Sequence, residues 1–254
     1  MGKFRSNGRD RAKLDDWFGS PALYQLEELT FDYGHMRSLP TSALRLAPTL
    51  FEDLLVVYTN HPVWVEHSIH VMELLLAGEK YKVVAFDIEH THARVGSHPK
   101  VAVAHMCVGH HVLVYHYCLA TRPCERFARF VNSPHYIFAT VDITKDVKVL
   151  KNSGIACQNL VDIQGQYKIW GSKEHEKDSL VHLAEAIVDP YYRDMKDSCN
   201  NDKRAWHSAW MEKLDKDHVA YAAKEAYTCY DMYGKIVDMR KCLLPQNSQG
   251  SSRK

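Results

Sequence analysis

No apolar stretch in the 254 residues approaches the roughly 18 needed to span a bilayer; the longest, such as residues 54–58 and 101–104, are strand-length. A membrane-spanning protein is therefore not expected. The seven cysteines (Cys107, Cys118, Cys124, Cys157, Cys199, Cys229 and Cys242) contain no Cys-x-x-Cys pair and follow no apolar signal segment. That usage points to a reducing intracellular compartment, nucleus or cytoplasm. No Gly-x-x-x-x-Gly-Lys-(Ser/Thr) sequence occurs, so no helicase motor is expected on this chain. Net charge is only +1, which denies the protein a global attraction to nucleic acid and leaves that task to a local patch. No internal repeat is visible.

What is present is the composition of an ordinary globular protein, 46% hydrophobic and 25% charged, long enough to bury one sizeable core. Residues 1–48 lack sustained periodicity and open with Lys3, Arg5, Arg9, Arg11 and Lys13, which predicts a basic N-terminal extension. Gly2 and Ser6 match a bare myristoylation pattern, with basic residues nearby as a second membrane signal, but Lys3 directly after the glycine argues against it. From residue 49 the pattern is regular and predicts one domain to residue 244, followed by a disordered tail over 245–254. A strand at 54–59 and an amphipathic helix at 63–76 come first. A strongly β-prone run follows at 82–89, then strands at 100–108 and 111–117 as a hairpin turning at Gly109. A helix at 123–131, a strand at 137–143, a helix at 145–151 and an apolar run at 160–163 come next. Helices at 179–188 and about 216–240 complete the domain. Strands first and alternating helices later predict an α/β fold with a mixed sheet covered by helices.

Asp87 and Glu89 lie two apart in the β-prone run, so both side chains leave one face while Val84, Phe86 and Ile88 leave the other. Adjacent carboxylates repel one another, and a divalent cation with oxygen preference is the usual resolution. Near the C-terminus, Tyr221-Ala222-Ala223-Lys224-Glu225-Ala226-Tyr227 places Tyr221 and Glu225 four apart on one helical face, with alanines small enough to let the helix approach the sheet. Tyr227 and Asp231 form a second such pair, but six residues further along is about 240° round the helix, so both pairs cannot face one site. His90, His92 and His98 cluster after the first motif without a recognisable zinc spacing. His110 and His111 are expected to be ordinary exposed turn residues.

Taken together, Asp87-x-Glu89 and the Tyr221 to Tyr227 run resemble the DEDDy 3'-5' exonucleases, in particular the Werner-type and ribonuclease D-like branches. The likeness covers about residues 52–240. It implies a ribonuclease H-like mixed sheet flanked by helices, forming a single exonuclease domain. The run Phe138 to Asp146 followed by Leu150 is similar to the family's middle motif, with Asp146 at the matching position; Asp142 and Asp162 compete for that place. Leu180, Leu183, Trp210, Leu214 and His218 fall where the family has a leucine-rich helix and a tryptophan-leucine approach to the last motif.

The resemblance implies that Asp87, Glu89, Asp146 and Glu225 hold two Mg²⁺ or Mn²⁺ ions, that Tyr221 orients the attacking water, and that the substrate is the 3' end of DNA or RNA, with its last nucleotides unpaired. Two departures stand out. Glu225 occupies a position where the family has aspartate, and His90 one where the Werner-type branch has tryptophan. They support an alternative, an exonuclease fold of reduced or absent activity that binds nucleic acid or protein. Related folds assemble into rings or dimers, and nothing in the sequence decides whether this chain forms a homo-oligomer. For the N-terminus the expected outcome is an intact mass, from protein made in its native host, with no acyl adduct.

Overall fold

The computed structural model describes residues 26–28, 41–46, 54–91, 98–166, 178–194 and 208–243. Its centre is an eight-stranded mixed sheet: β1 (Leu26–Glu28), β2 (Thr41–Leu46), β3 (Leu54–Thr59), β4 (Val83–His90), β5 (Val101–Val108), β6 (His111–Tyr115), β7 (Ile137–Thr140) and β8 (Leu160–Asp162). The spatial order is β1-β2-β3-β6-β5-β4-β7-β8. β4 pairs antiparallel with β5 and parallel with β7, and so lies inside the sheet with neighbours on both edges. The helices are α1 (Pro62–Leu76), α2 (Glu125–Val131), α3 (Ile143–Asn152), α4 (Ile163–Gln166), α5 (Leu180–Ile187) and α6 (Lys216–Leu243).

Alternation along β4 divides the interior in two. Val84, Phe86 and Ile88 join Val65, Ile69, Met72 and Leu76 of α1 and Phe127 and Phe130 of α2 on one face. Val83 and Ala85 belong to the other face, with Leu180 and Leu183 of α5 and Ala222, Ala223 and Ala226 of α6. The three alanines are fully buried. Their small side chains let α6 lie close to the strands: the Cys229 thiol donates to the Ala139 carbonyl of β7 at 3.2 Å. A larger side chain on this stripe would hold the helix away.

Elements read from periodicity recur with ends shifted by no more than three residues, and two of the shifts have a physical reason. The strand read as 137–143 ends at Thr140, because Asp142 adopts a left-handed backbone (φ 64°) that turns the chain into α3. β6 stops at Tyr115, where the chain tightens into a 3-10 turn over Tyr117–Leu119. Residues read as an N-terminal extension supply two strands, β1 and β2, which carry the sheet outward from β3 by antiparallel pairing, Leu46 opposite Leu54 and Leu26 opposite Leu44. The sheet therefore begins before residue 49. The basic cluster at 3–13 and the tail at 245–254 lie outside the described residues.

The β5-β6 hairpin has Val108 opposite His111, so Gly109 and His110 form a two-residue turn. Gly109 has φ 57° and His110 does not share it, which suits a type II′ turn with glycine first. His110 is exposed, but His111 is buried as the first residue of β6, and burial lowers its pKa to about 4. The expectation of two exposed turn histidines is thus corrected for His111, whose strand position faces inward.

The approach to α6 is pinned from below. Tyr58 of β3 shares a 2.7 Å hydrogen bond with His116 Nδ1 and accepts from the Leu214 backbone N–H, while His116 Nε2 lies 3.1 Å from the Trp210 carbonyl. Asp215 then accepts from the Asp217 and His218 backbone N–H groups and caps the first turn of α6. Ala222→Leu is expected to lower stability by about 1–3 kcal/mol through overpacking, read as a lower urea midpoint with an unchanged slope.

Candidate active site

Asp87 and Glu89 emerge near the C-terminal end of β4, on the α6 side of the sheet, as their spacing predicts. The ladder to β5 is regular to Glu89, opposite Val103, and then shifts register between Glu89 and His90. Such a bulge ends regular pairing where the acidic side chains leave the sheet. His90 is exposed beyond it, its Nδ1 3.4 Å from the Thr91 carbonyl. Asp87 Oδ1 accepts from the Ile88 N–H at 2.8 Å, which leaves Oδ2 directed away from its own strand's backbone.

Glu225 reaches this point from α6 and is almost fully buried. The Tyr221 hydroxyl, one helical turn earlier, donates to Glu225 Oε1 at 2.8 Å. The Tyr221 ring leans on Trp210, with ring centres 6.2 Å apart, and Trp210 meets His218 edge-on at 5.0 Å. The tryptophan and histidine noted before the last motif thus steady the side chain that holds Glu225. Tyr227 and Asp231 point elsewhere: the Asp231 carboxylate accepts from Tyr192 at 2.8 Å, beside α5.

Electrostatics show which acids share the space. Burial raises the Asp87 pKa well above the usual range, and the charges of Glu225, Asp146 and Glu89, in that order, raise it further. Three elements, β4, α3 and α6, therefore bring four carboxylates within mutual influence. Asp146, in the first turn of α3, is pushed up to about 7, by burial first, then by Asp142 and Glu225. The charge that reaches Asp87 from this part of the chain is that of Asp146, while Asp142 and Asp162 act on Asp146 itself. Asp162 ends β8, opposite Thr140, and its buried Oδ1 has no hydrogen bond. It stands next to the quartet rather than within it.

The structure adds a residue that sequence reasoning missed. His105 lies directly opposite Asp87 on β5, fully buried, with Nε2 3.9 Å from Asp87 Oδ2. Donor atoms of Asp87, His105 and Glu225 all lie within 4.8 Å of one another, the one such group among the described residues. Burial lowers the His105 pKa to about 4, against smaller raising effects of Glu225 and the Ala222 backbone, so the ring is neutral near pH 7. Neither ring nitrogen makes a hydrogen bond of ordinary geometry, the nearby Ala222 backbone notwithstanding. A signal was available: His105 is the one polar residue in the run Val101 to Val108, a strand buried along its whole length. Of the histidines weighed as a zinc cluster, His90 and His98 are exposed and His92 lies outside the described residues.

A buried and three partly buried carboxylates, gathered so that Asp87 and Asp146 hold their protons more tightly, with a neutral imidazole and a phenol beside them, form a donor set suited to a divalent cation. Residues 62–241 match the profile of a family described as 3'-5' exonuclease. No protein of curated function matches the sequence. Among solved structures, the Nibbler EXO domain of Aedes aegypti is similar at TM-score 0.52 and 13% identity, over 74% of this chain and 89% of that one. Escherichia coli RNase D is similar at TM-score 0.52 and 16% identity, over 70% of this chain and 44% of its own length. For Trypanosoma brucei RNase D the TM-score is 0.55 and the identity 15%, over 71% of this chain and 57% of that one. The chain thus spans about half of each RNase D, and at these identities the likeness is one of fold: the ribonuclease H-like mixed sheet with flanking helices. With the family profile covering well over half of its length, this chain belongs to the 3'-5' exonuclease family.

Proposed function

We propose that the protein is a metal-dependent 3'-5' exonuclease that removes nucleotides from the 3' end of DNA or RNA. The observation that carries this reading is the convergence of Asp87, Glu89, Asp146 and Glu225, each of the last three raising the proton affinity of the first. Four acids from three elements are costly to gather unless positive charge joins them. Asp87, Glu89, Asp146 and Glu225 would hold two Mg²⁺ or Mn²⁺ ions. When bound, such ions acidify a water and stabilise the leaving 3' oxygen of a phosphodiester.

The remaining work falls to the chain's own side chains. Tyr221 gives its proton to Glu225, and a phenol oxygen can also accept from a water, so it can orient a nucleophile while keeping the carboxylate in place. An ordinary phenol is too weak a base at neutral pH to take the proton itself. Its role is positioning. Glu225, although longer than aspartate by a methylene, is buried and acts on both Asp87 and Asp146, which supports a competent site over an inert scaffold. Because the site lies between α6 and the sheet, the 3' end must thread in singly, which favours unpaired terminal nucleotides with bases held by stacking. Within the family, the Tyr-Ala-Ala-x-acid-Ala-Tyr run supports a place near the Werner-type and ribonuclease D-like branches. The ribonuclease D of T. brucei was solved as a GMP complex, which supports a nucleotide as the class of ligand.

Purified protein with Mn²⁺ is expected to release mononucleotides from labelled single-stranded and 3'-overhanging DNA or RNA. Asp87→Ala should slow release on the order of 10²- to 10³-fold, and Tyr221→Phe on the order of 10²-fold through misplacement of the water. Intact substrate with both the wild type and Glu225→Asp would overturn the reading.

Stability offers a second measurement. Because the folded-state pKa of Asp146 is raised from 3.8 to about 7, its contribution is fully present below 3.8 and is lost as pH rises through about 7. Thermal melts of metal-free protein should therefore fall over that window, Mn²⁺ at pH 8 should raise them, and Asp146→Asn should flatten the pH dependence and abolish the Mn²⁺ effect.

A further inference from the structure

We propose that His105 is a nitrogen ligand to a cation bound by Asp87 and Glu225, giving this site a mixed oxygen and nitrogen donor set that favours Mn²⁺ over Mg²⁺. The inference deepens the proposed exonuclease reading and rests on it.

Placement is the first argument. Cross-strand pairing sets His105 and Asp87 face to face on adjacent antiparallel strands, on the side covered by α6. Strand β5 is buried from Val101 to Val108, so the ring has no route to solvent. Its Nε2 stands 3.9 Å from Asp87 Oδ2, too far for a hydrogen bond and near enough to share a third partner. Two ligands at about 2.1 Å on an octahedral ion stand roughly 3.0–4.2 Å apart. The three donor atoms lie within 4.8 Å of one another, close to the span that one ion's ligands occupy.

The second argument is the unpaired polarity of the ring. A buried imidazole usually finds partners for its nitrogens, and here neither has one in ordinary geometry. Strand β5 otherwise carries valine, alanine, methionine and cysteine, so packing against the core does not by itself call for an imidazole. A cation between the imidazole and the two carboxylates satisfies a ring nitrogen and offsets the like charges in one step. A ligating imidazole commonly gives its other N–H to a backbone carbonyl, and the Ala222 backbone of α6 is close by.

The chemical consequence is selectivity. Mg²⁺ takes oxygen ligands at strict octahedral geometry, whereas Mn²⁺, although it stands at the weak end of the first-row series, accepts an imidazole nitrogen more readily than Mg²⁺ does. A site that includes His105 should bind Mn²⁺ more tightly, relative to Mg²⁺, than the carboxylates alone would.

The test is pulsed electron paramagnetic resonance on the full chain loaded with Mn²⁺, with Mn²⁺ and Mg²⁺ affinities measured by calorimetry. Wild type is expected to show nitrogen coupling to the ion, replaced by the ¹⁵N pattern when the protein is made with ¹⁵N-histidine. His105→Gln should lose the coupling and weaken Mn²⁺ binding on the order of tenfold while changing Mg²⁺ binding less than twofold. Mn²⁺ bound without nitrogen coupling in wild type would overturn the assignment and leave the carboxylate site standing. Failure of wild type to bind Mn²⁺ at all would overturn both. The isotope substitution needs no mutation, so the outcome does not depend on the variant folding.

Discussion

Repulsion among carboxylates gathered at one end of a central strand, one of them buried and three partly so, is the constraint around which this molecule is arranged. Asp87 sits inside the sheet, under a long helix, with Glu89, Asp146 and Glu225 all raising its proton affinity. Holding such charges together requires a rigid frame, because side chains free to move would simply separate. The frame is the small-residue contact between α6 and the sheet, where Ala222, Ala223 and Ala226 are buried and the Cys229 thiol meets the Ala139 carbonyl. From the other direction, the Tyr58, His116 and Trp210 bonds hold the segment that leads into α6. Packing thus sets the electrostatics, and the electrostatics create the demand for a cation.

Much of this was legible from residue pattern. The period of two in Asp87-x-Glu89 and the period of four in Tyr221 to Glu225 are local properties of strand and helix, and both placed their side chains correctly. The ribonuclease H-like sheet also followed, since alternation and helix spacing survive in the strands from β3 onward. Asp146 was harder: Asp142, Asp146 and Asp162 compete for one place, and it takes the turn of Asp142 into α3 to put Asp146 in the first turn of that helix.

What pattern could not reach were relations across the sheet. β2 is recruited by pairing with β3, and β1 by pairing with β2, rather than by any periodicity of their own, so residues 1–48 read as an extension. His105 is brought to Asp87 by β4-β5 register, a pairing set by long-range contacts. His111 looked like a turn residue because it follows Gly109-His110, yet the turn consumes only two residues and the third already belongs to a buried strand.

The left-handed backbone of Asp142 has a further meaning. A side chain other than glycine in that region carries a conformational penalty, and such penalties persist where the surrounding structure has a use for them. Here the contorted residue also brings the charge with the largest effect on Asp146. Glycine would relax the main chain and at once discard that charge, so the backbone of this position and the proton affinity of Asp146 are set by one side chain.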